Sequence, residues 1–215
     1  MIMFILSDKL YFPPIHQADE DGLLAIGGDL GTERLLLAYR SGIFPWYSDD
    51  EPILWWSPNP RFVLYPTELK ISKSMKTVLN KQLFTFTINK DFNAVMQHCK
   101  NVNRPGQDGT WISNEVITAY TNLHQQGYAI SAETWQNNTL VGGLYGIKLG
   151  NIFFGESMFS LVPNASKFAF IKLVQLLQQQ GVVLIDCQIY TEHLESLGAR
   201  MIEREEFVKI ISNSN

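Results

Sequence analysis

The stretch YAISAETWQNNTLVGGLYGIKLGNIFFGESM, which spans residues 128–158, decides the fold of this chain. It holds three strand-like runs, Tyr128 to Trp135, Thr139 to Lys148 and Asn151 to Met158, joined by the short turn segments QNN and LGN. Strand-forming runs joined by such short turns pair as antiparallel neighbours. The sequence therefore predicts an antiparallel meander.

Helix signals lie on both sides of this meander. Before it, Asp91 and Ser113 are each placed to cap a helix, and after it Asn164 opens the longest helical run, which Gly181 ends. A strand of the buried type follows at Val182–Ile189, and two short helices are expected after that strand. The predicted fold class is α+β, with a mixed, largely antiparallel sheet and packed helices.

The chain changes character near residue 62. The segment SGIFPWYSDDEPILWWSPNPRF, residues 41–62, is rich in Pro and Trp and is typical of short elements and turns, with one helix predicted before it at Thr32 to Arg40. From residue 63 onward regular elements dominate. We therefore expect a small N-terminal domain at residues 1–62, which contributes aromatic residues to the site, and a larger domain at residues 63–215.

The composition is typical of a soluble globular protein. Hydrophobic residues make up 46% and charged residues 18%, and no run approaches the roughly 20 apolar residues that cross a bilayer. The two cysteines form neither a disulfide framework nor a metal-ligand pattern, so a reducing cytoplasm and no metal are expected. Walker and Rossmann glycine motifs are missing from the sequence, so no cofactor is expected.

Asp186 and Gln188 are polar residues in an otherwise apolar strand. Residues at i and i+2 point to the same side of a strand, so this acid and this amide share one face and can form one polar site. The alternative is a strand end close to solvent, where polar residues are common.

Glu156 is a second polar residue in an apolar setting, in the run NIFFGESMFS. A period of two places Phe154, Glu156 and Met158 on one face, as a site for an ammonium group beside an apolar side chain would require. The alternative is a bulge at Gly155 that turns Glu156 outward to water.

Five tryptophan and tyrosine side chains stand beside Pro or Gly or in a GTWI turn that looks exposed: Trp46, Tyr47, Trp55, Trp56 and Trp111. An unpaired base stacked on such a ring gains on the order of 1 to 3 kcal/mol. The alternative is that the rings hold together a small domain with few aliphatic residues.

One basic stretch stands out in a chain of net charge −4. No acidic residue occurs from Leu69 to Lys90, where the lysines are Lys70, Lys73, Lys76, Lys81 and Lys90. Because the protein is acidic as a whole, any contact with a phosphate backbone has to be a local patch, and this stretch is the candidate. A solvated surface is the alternative.

Several motifs follow one another along almost the whole chain: DGLLAIGGDL, SGIFPWY, WWSPNPR, GTWI, LVGGLYGI, FFGESMFS, NASK, IDCQ and HLESLGA. In this order they resemble the leucyl/phenylalanyl-tRNA protein transferase family. The resemblance implies a C-terminal domain with a GNAT-like acyltransferase fold and an enzyme that acts as a monomer. It also implies transfer of leucine, phenylalanine or, less well, methionine from aminoacyl-tRNA to proteins that begin with Arg or Lys, which marks them for degradation by the N-end rule.

The resemblance also assigns roles to residues. It implies that Asp186, Gln188 and Glu156 are catalytic and that Trp46 and Trp111 stack on the terminal adenosine. The remaining substrate-binding positions that it implies are Leu144, Phe153, Gly155, Met158, Phe170 and Ile185.

A mechanism follows as a hypothesis. The ester of aminoacyl-tRNA is already activated, so the attacking amine needs only to be neutral, close and aligned. Gln188 would accept a hydrogen bond from this amine through its side-chain carbonyl, Asp186 would orient and polarise the amide, and Glu156 would hold the amine or compensate charge. The sequence departs from the family at Ile130, where a histidine is frequent, so no histidine role is assigned.

Two other functions remain open from the residues alone. An acetyl-CoA-dependent acyltransferase would need glycines ahead of a helix to bind pyrophosphate, whereas the segment here is SLVPNASK, residues 160–167. A non-catalytic RNA-binding module would use the tryptophans and lysines, and it would leave Asp186 and Gln188 dispensable.

Overall fold

The computed structural model describes residues 4–48, 50–102 and 110–214, in which two β-sheets and seven α-helices are formed. The strands are β1 (Phe4–Leu6), β2 (Leu23–Gly27), β3 (Phe44–Pro45), β4 (Leu54–Trp56), β5 (Arg61–Leu64), β6 (Thr85–Ile88), β7 (Ala129–Gln136), β8 (Thr139–Leu149), β9 (Ile152–Ser160), β10 (Leu184–Gln188) and β11 (Arg200–Ile202). The helices are α1 (Thr32–Arg40), α2 (Lys73–Asn80), α3 (Phe92–Asn101), α4 (Asn114–Gln125), α5 (Ala165–Gln179), α6 (Glu192–Glu195) and α7 (Arg204–Ser212).

The large sheet is mixed and has the strand order β11-β5-β10-β9-β8-β7-β6. Strands β7, β8 and β9 form the predicted antiparallel meander. Strand β10 lies parallel to β9 and antiparallel to β5, which makes it a central strand. These elements confirm the predicted α+β class.

Side-chain caps start helices α3 and α4, as the sequence predicts. Asp91 accepts a hydrogen bond from the amide of Ala94, and Ser113 accepts one from Val116. Each bond satisfies an amide that has no partner inside its own helix. Both helix starts are therefore confirmed.

Helices cover both faces of the large sheet. On one face α5 packs on the meander, and its apolar residues share a core with Leu144 and Ile185. On the other face lie α3 and α4, with α1 against α4, and there Tyr39, Tyr120 and Phe154 belong to a second core. The two faces meet different sets of side chains, so the face on which a residue of β9 or β10 lies decides its neighbours.

The small sheet has the order β1-β2-β4-β3 and lies before residue 57. Its buried residues, including Leu24 and Trp55, belong to the same apolar core as α1, α3 and α4. Arg61 is already part of the large sheet. The division between residues 62 and 63 stays a prediction. Among the described helices, none is both long and apolar enough to span a bilayer.

Candidate active site

The candidate site lies where two parallel strands separate. Strands β9 and β10 pair as far as Phe154 and Asp186. Beyond that point each strand has a bulge, with Glu156 as the extra residue in β9 and Cys187 as the extra residue in β10. A bulge bends its strand and re-aims the next side chains. Here the two bulges bring Glu156 and Gln188 together.

Three polar groups meet at this point. The side-chain amide of Gln188 donates from Nε2 to Oε1 of Glu156 over 3.1 Å. The backbone N–H of the same residue donates to Oδ1 of Asp186 over 2.9 Å. The expectation that Asp186 orients the Gln188 amide is therefore wrong in its detail: Glu156 contacts the side chain, whereas Asp186 contacts the main chain.

Asp186 is fully buried and is paired with Arg61, which is also fully buried. Nε of Arg61 donates to Oδ1 over 2.8 Å and Nη2 donates to Oδ2 over 2.7 Å. This bidentate geometry matches the planar guanidinium to the carboxylate. Asp186 is accordingly an interior ion-pair partner, and no strand end near solvent is needed to explain it.

Glu156 faces two buried tyrosines. The hydroxyl of Tyr39 lies 2.8 Å from Oε1 of Glu156, that of Tyr120 lies 3.1 Å from Oε2, and the two hydroxyls are hydrogen-bonded to each other. Burial raises the pKa of Glu156 from 4.5 to about 7, although hydrogen bonds from the tyrosines work against this rise. Burial and the nearby Glu156 charge raise the pKa of both tyrosines well above 10.

A count of hydrogens favours the neutral form of Glu156. Each tyrosine hydroxyl supplies one hydrogen and an ionised carboxylate supplies none. Because the three groups make three mutual hydrogen bonds, a third hydrogen is required. The ring of bonds is complete only when Glu156 is protonated, in agreement with the direction of its pKa shift.

A cavity of about 670 Å³ opens over these groups. Its volume lies within the range of about 300 to 1,000 Å³ that is typical of small-ligand sites. The sequence-predicted residues that line it are Trp46, Trp111, Leu144, Gly155, Glu156, Met158, Phe170, Ile185, Asp186 and Gln188. The structure thus brings together nearly all of the residues that were predicted to be catalytic or to bind substrate.

Three expectations about these residues are corrected. Phe153 is fully buried behind the wall and is not among the described residues that line the cavity. Met158 lies on the opposite face from Phe154, because the bulge adds one residue and reverses the alternation. Trp111 is 9% exposed and packs edge-on against Tyr120, so its turn is not the exposed one that was expected.

The bulge at Gly155 that was considered as an alternative is present, but it does not turn Glu156 to water. Glu156 instead points toward the buried hydroxyls of Tyr39 and Tyr120.

No role was assigned to Arg61, Tyr39 or Tyr120 from the sequence. Arg61 begins the apolar strand RFVL, and an arginine in such a run needs a buried anion. Tyr39 lies within the helix predicted at Thr32 to Arg40, next to Ala38, and the hydroxyl of a tyrosine buried there would normally require a partner. Both signals were available, but neither identifies the partner.

The lysines of the basic stretch lie apart from the cavity. Lys70, Lys73, Lys76 and Lys81 are all exposed and lie on or beside α2, which packs against α5. Their contact with RNA stays a prediction. Over the part of the chain that the structure describes, no cluster of three or more His, Cys, Asp or Glu side chains could hold a metal ion.

Solved structures with a related fold are dissimilar in sequence. FemX superposes with a TM-score of 0.51 at 11% identity, covering 85% of this chain and 71% of that one. A GCN5-related N-acetyltransferase from Kribbella flavida is a more distant match, with a TM-score of 0.39 at 9% identity over 77% of this chain and 59% of that one. The predicted α+β class is confirmed, and the GNAT-like character of the C-terminal part stays a prediction.

Sequence comparison gives the family. The chain is 59% identical over 211 residues to the leucyl/phenylalanyl-tRNA protein transferase of Flavobacterium johnsoniae, covering 98% of this chain and all of the relative. It is 57% identical over 211 residues to that of Christiangramia forsetii, covering 97% and 100%. The family model for the leucyl/phenylalanyl-tRNA protein transferase matches residues 63–212, and the model for its N-terminal domain matches residues 28–59. The chain therefore belongs to the leucyl/phenylalanyl-tRNA protein transferase family.

Proposed function

We propose that this chain transfers leucine, phenylalanine or, less well, methionine from aminoacyl-tRNA to proteins whose first residue is Arg or Lys. The product carries a new N-terminal residue that marks it for degradation by the N-end rule. The observation that carries the proposal is the contact of Gln188 with Glu156 at the floor of a largely apolar cavity. A location in the reducing cytoplasm suits the two buried cysteines, Cys99 and Cys187, which form no disulfide within the part of the chain that the structure describes.

The reaction exchanges an ester for an amide. The α-amine of the acceptor attacks the ester carbonyl, the new C–N bond forms, and the C–O bond to the terminal ribose breaks. One amine proton is lost and the departing ribose oxygen gains one. No energy source is consumed because the ester is already activated, so the site has to hold both reactants in a reactive geometry.

Gln188 is placed to hold the attacking amine. Its Nε2 is occupied by Glu156, so its carbonyl oxygen is the side-chain atom left to accept a hydrogen bond from the amine. Glu156 has a pKa of about 7, so it can exchange a proton near neutral pH. Asp186 holds the backbone of Gln188 and does not need to touch the substrate.

The apolar wall accounts for the donated side chain. Leu144, Met158, Phe170 and Ile185 line one part of the cavity, which suits an aliphatic or aromatic group. Trp46 stands at the rim with 37% of its surface exposed, as a ring that stacks on a terminal adenosine must. The exposed lysines near α2 supply the charge for the RNA backbone.

The test is transfer of labelled leucine or phenylalanine from charged tRNA to a protein that begins with Arg, without ATP or CoA. We expect wild-type protein to transfer and Gln188→Ala to lower the single-turnover rate by about 100-fold or more. Gln179→Ala, an exposed change of the same kind on α5, serves as the control and should leave the rate unchanged. Asp186→Ala is a poorer probe because it leaves the buried Arg61 without its anion.

If wild-type protein binds the tRNA but transfers nothing, the chain is an RNA-binding module and the proposal fails. A Gln188→Ala variant as fast as the control would leave the reaction intact but remove Gln188 from it.

A further inference from the structure

The backbone of Gln188 is held in an unfavourable conformation. Its φ angle is +65°, in the left-handed region, which is unfavourable for a residue with a side chain. Two hydrogen bonds hold it: its own N–H donates to Oδ1 of Asp186, and the N–H of Ile189 donates to the carbonyl oxygen of Cys187 over 2.8 Å and closes the turn around it. Of the two, the bond to Asp186 is the one that comes from a side chain, so the direction of the Gln188 side chain depends in part on where the Asp186 carboxylate lies.

Arg61 fixes the Asp186 carboxylate. It donates to both oxygens in one plane, and both partners are fully buried, so no water competes for the carboxylate. A buried carboxylate without such a partner would be strongly unfavourable. Arg61 thus decides both the position and the plane of the group that holds Gln188.

Arg61 is itself clamped from three directions. Its guanidinium carbon lies 4.7 Å from the ring centroid of Phe44 in β3 and 4.7 Å from that of Phe207 in α7. Its Nη1 donates to the carbonyl oxygen of Gly42 over 3.2 Å. Contacts with two aromatic rings and a hydrogen bond to a carbonyl leave the guanidinium little freedom to rotate.

We propose that Arg61 is a positioning residue for the transfer reaction, acting through Asp186 on the backbone of Gln188. It touches no substrate, and it lies between the two segments, residues 28–59 and 63–212, that the family models match. This inference rests on the proposed function, because it concerns the rate of that same reaction.

Arg61→Lys is the informative substitution. Lysine keeps the positive charge, but it can neither bind the carboxylate through a planar fork nor fill the space between two rings in the same way. We expect the single-turnover transfer rate and kcat to fall by about 100-fold, as a small displacement of a reacting group does. The KM for aminoacyl-tRNA should change much less, because the cavity wall is untouched.

The matched control is Arg34→Lys. Arg34 is another buried arginine in an ion pair, with Asp29 at 3.0 Å, and it is not among the residues that line the cavity. Both substitutions remove a guanidinium from a buried site, so both are expected to lower Tm. Only Arg61→Lys should lower the transfer rate of the protein that remains folded.

A double-mutant cycle with Gln188→Ala separates positioning from a general structural effect. If Arg61 acts through Gln188, Arg61→Lys should lower the transfer rate about 100-fold in the wild-type background. In the Gln188→Ala background it should lower the rate hardly any further. The same fold loss in both backgrounds, or a rate equal to that of Arg34→Lys, would overturn the inference while wild-type transfer still supports the proposed function. If wild-type protein transferred nothing, the proposed function itself would be contradicted.

Phe207→Leu covers the case in which Arg61→Lys fails to fold. It leaves the ion pair in place and removes one aromatic face from the guanidinium. We expect a smaller rate loss that again disappears in the Gln188→Ala background. A rate loss that persists there at full size would contradict the inference.

Discussion

Glu156 is the residue whose ionisation the surrounding side chains control most directly. Its three-way hydrogen bonding with Tyr39 and Tyr120 is complete only when it carries a proton. Burial moves its pKa to about 7, far above the ordinary value of 4.5. A carboxyl group with a raised pKa stabilises the folded protein fully below its unfolded pKa, and this stabilisation is lost as the pH rises through the folded pKa.

Glu156→Gln should therefore change how stability depends on pH. Glutamine resembles the protonated acid in shape and cannot ionise, so the variant should not show the loss of stability that wild type shows between about pH 4.5 and 7. We expect the free energy of unfolding of wild type to fall by roughly 1 to 3 kcal/mol relative to that of the variant from pH 5 to pH 8. Urea unfolding of both proteins at the two pH values measures this. The four histidines are common to both proteins and cancel, and a pH-independent difference would mean that Glu156 is ionised throughout.

At the residue scale the sequence indicated which polar residues form the site but not which residues they contact. Asp186, Gln188 and Glu156 were recognisable because each interrupts an apolar strand. Their partners Arg61, Tyr39 and Tyr120 come from β5, α1 and α4. Contacts between residues so far apart in sequence depend on how whole elements pack, which no local pattern contains.

The bulge in β9 is the element-scale feature that makes the site. Gly155 pairs with Gly146, and Glu156 is the residue left over before Ser157 pairs with Tyr145. A Cβ at Gly146 would overlap the carbonyl oxygen of Phe154 and come within 2.5 Å of Cζ of Phe153. Gly146 is required because β9 approaches it too closely for any side chain.

Gly146→Ala should therefore disturb the bulge. Overpacking of this kind costs about 1 to 3 kcal/mol, so we expect Tm to fall by roughly 5 to 10 °C. Gly155→Ala, on the opposite strand of the same pair, is the stability control, because its Cβ would lie 3.5 Å from the nearest atom. Thermal unfolding followed by circular dichroism distinguishes them. Equal Tm values for the two variants would show that the strand can move aside.

Long elements with a clear period were predictable, whereas the short strands β5 and β11 were not. The meander, α3, α4 and α5 carry repeated apolar spacing or capping residues, and all were predicted. Strands β5 and β11 have 4 and 3 residues, which is too short for a period to appear. The sequence left a bulge at Gly155 open as an alternative, but a single extra residue carries no pattern that decides between the two, so the change of face at Met158 was not predicted.

At the scale of the whole molecule, charge is distributed unevenly over an acidic protein. The net charge is −4, yet the stretch from Leu69 to Lys90 contains no acid, and its lysines at α2 are exposed. Long-range attraction of a polyanion depends on such local density and is weakened by salt. The basic stretch was visible in the sequence, whereas only the structure shows that none of its described lysines lines the cavity.

Removing lysines from this patch should weaken tRNA binding in a salt-dependent way. The test variant replaces three exposed lysines with glutamine: Lys73, Lys76 and Lys81. The control variant replaces three lysines from other parts of the chain: Lys9, Lys148 and Lys209. Each lysine on a phosphate contributes a little under one to the slope of log K against log salt, so the patch variant should flatten this slope by about 2 to 3. Titration of labelled tRNA from about 50 to 200 mM salt measures the slope. Because both variants lose the same charge, equal slopes would assign the attraction to net charge alone, whereas a flatter slope for the patch variant alone would place the RNA backbone along α2.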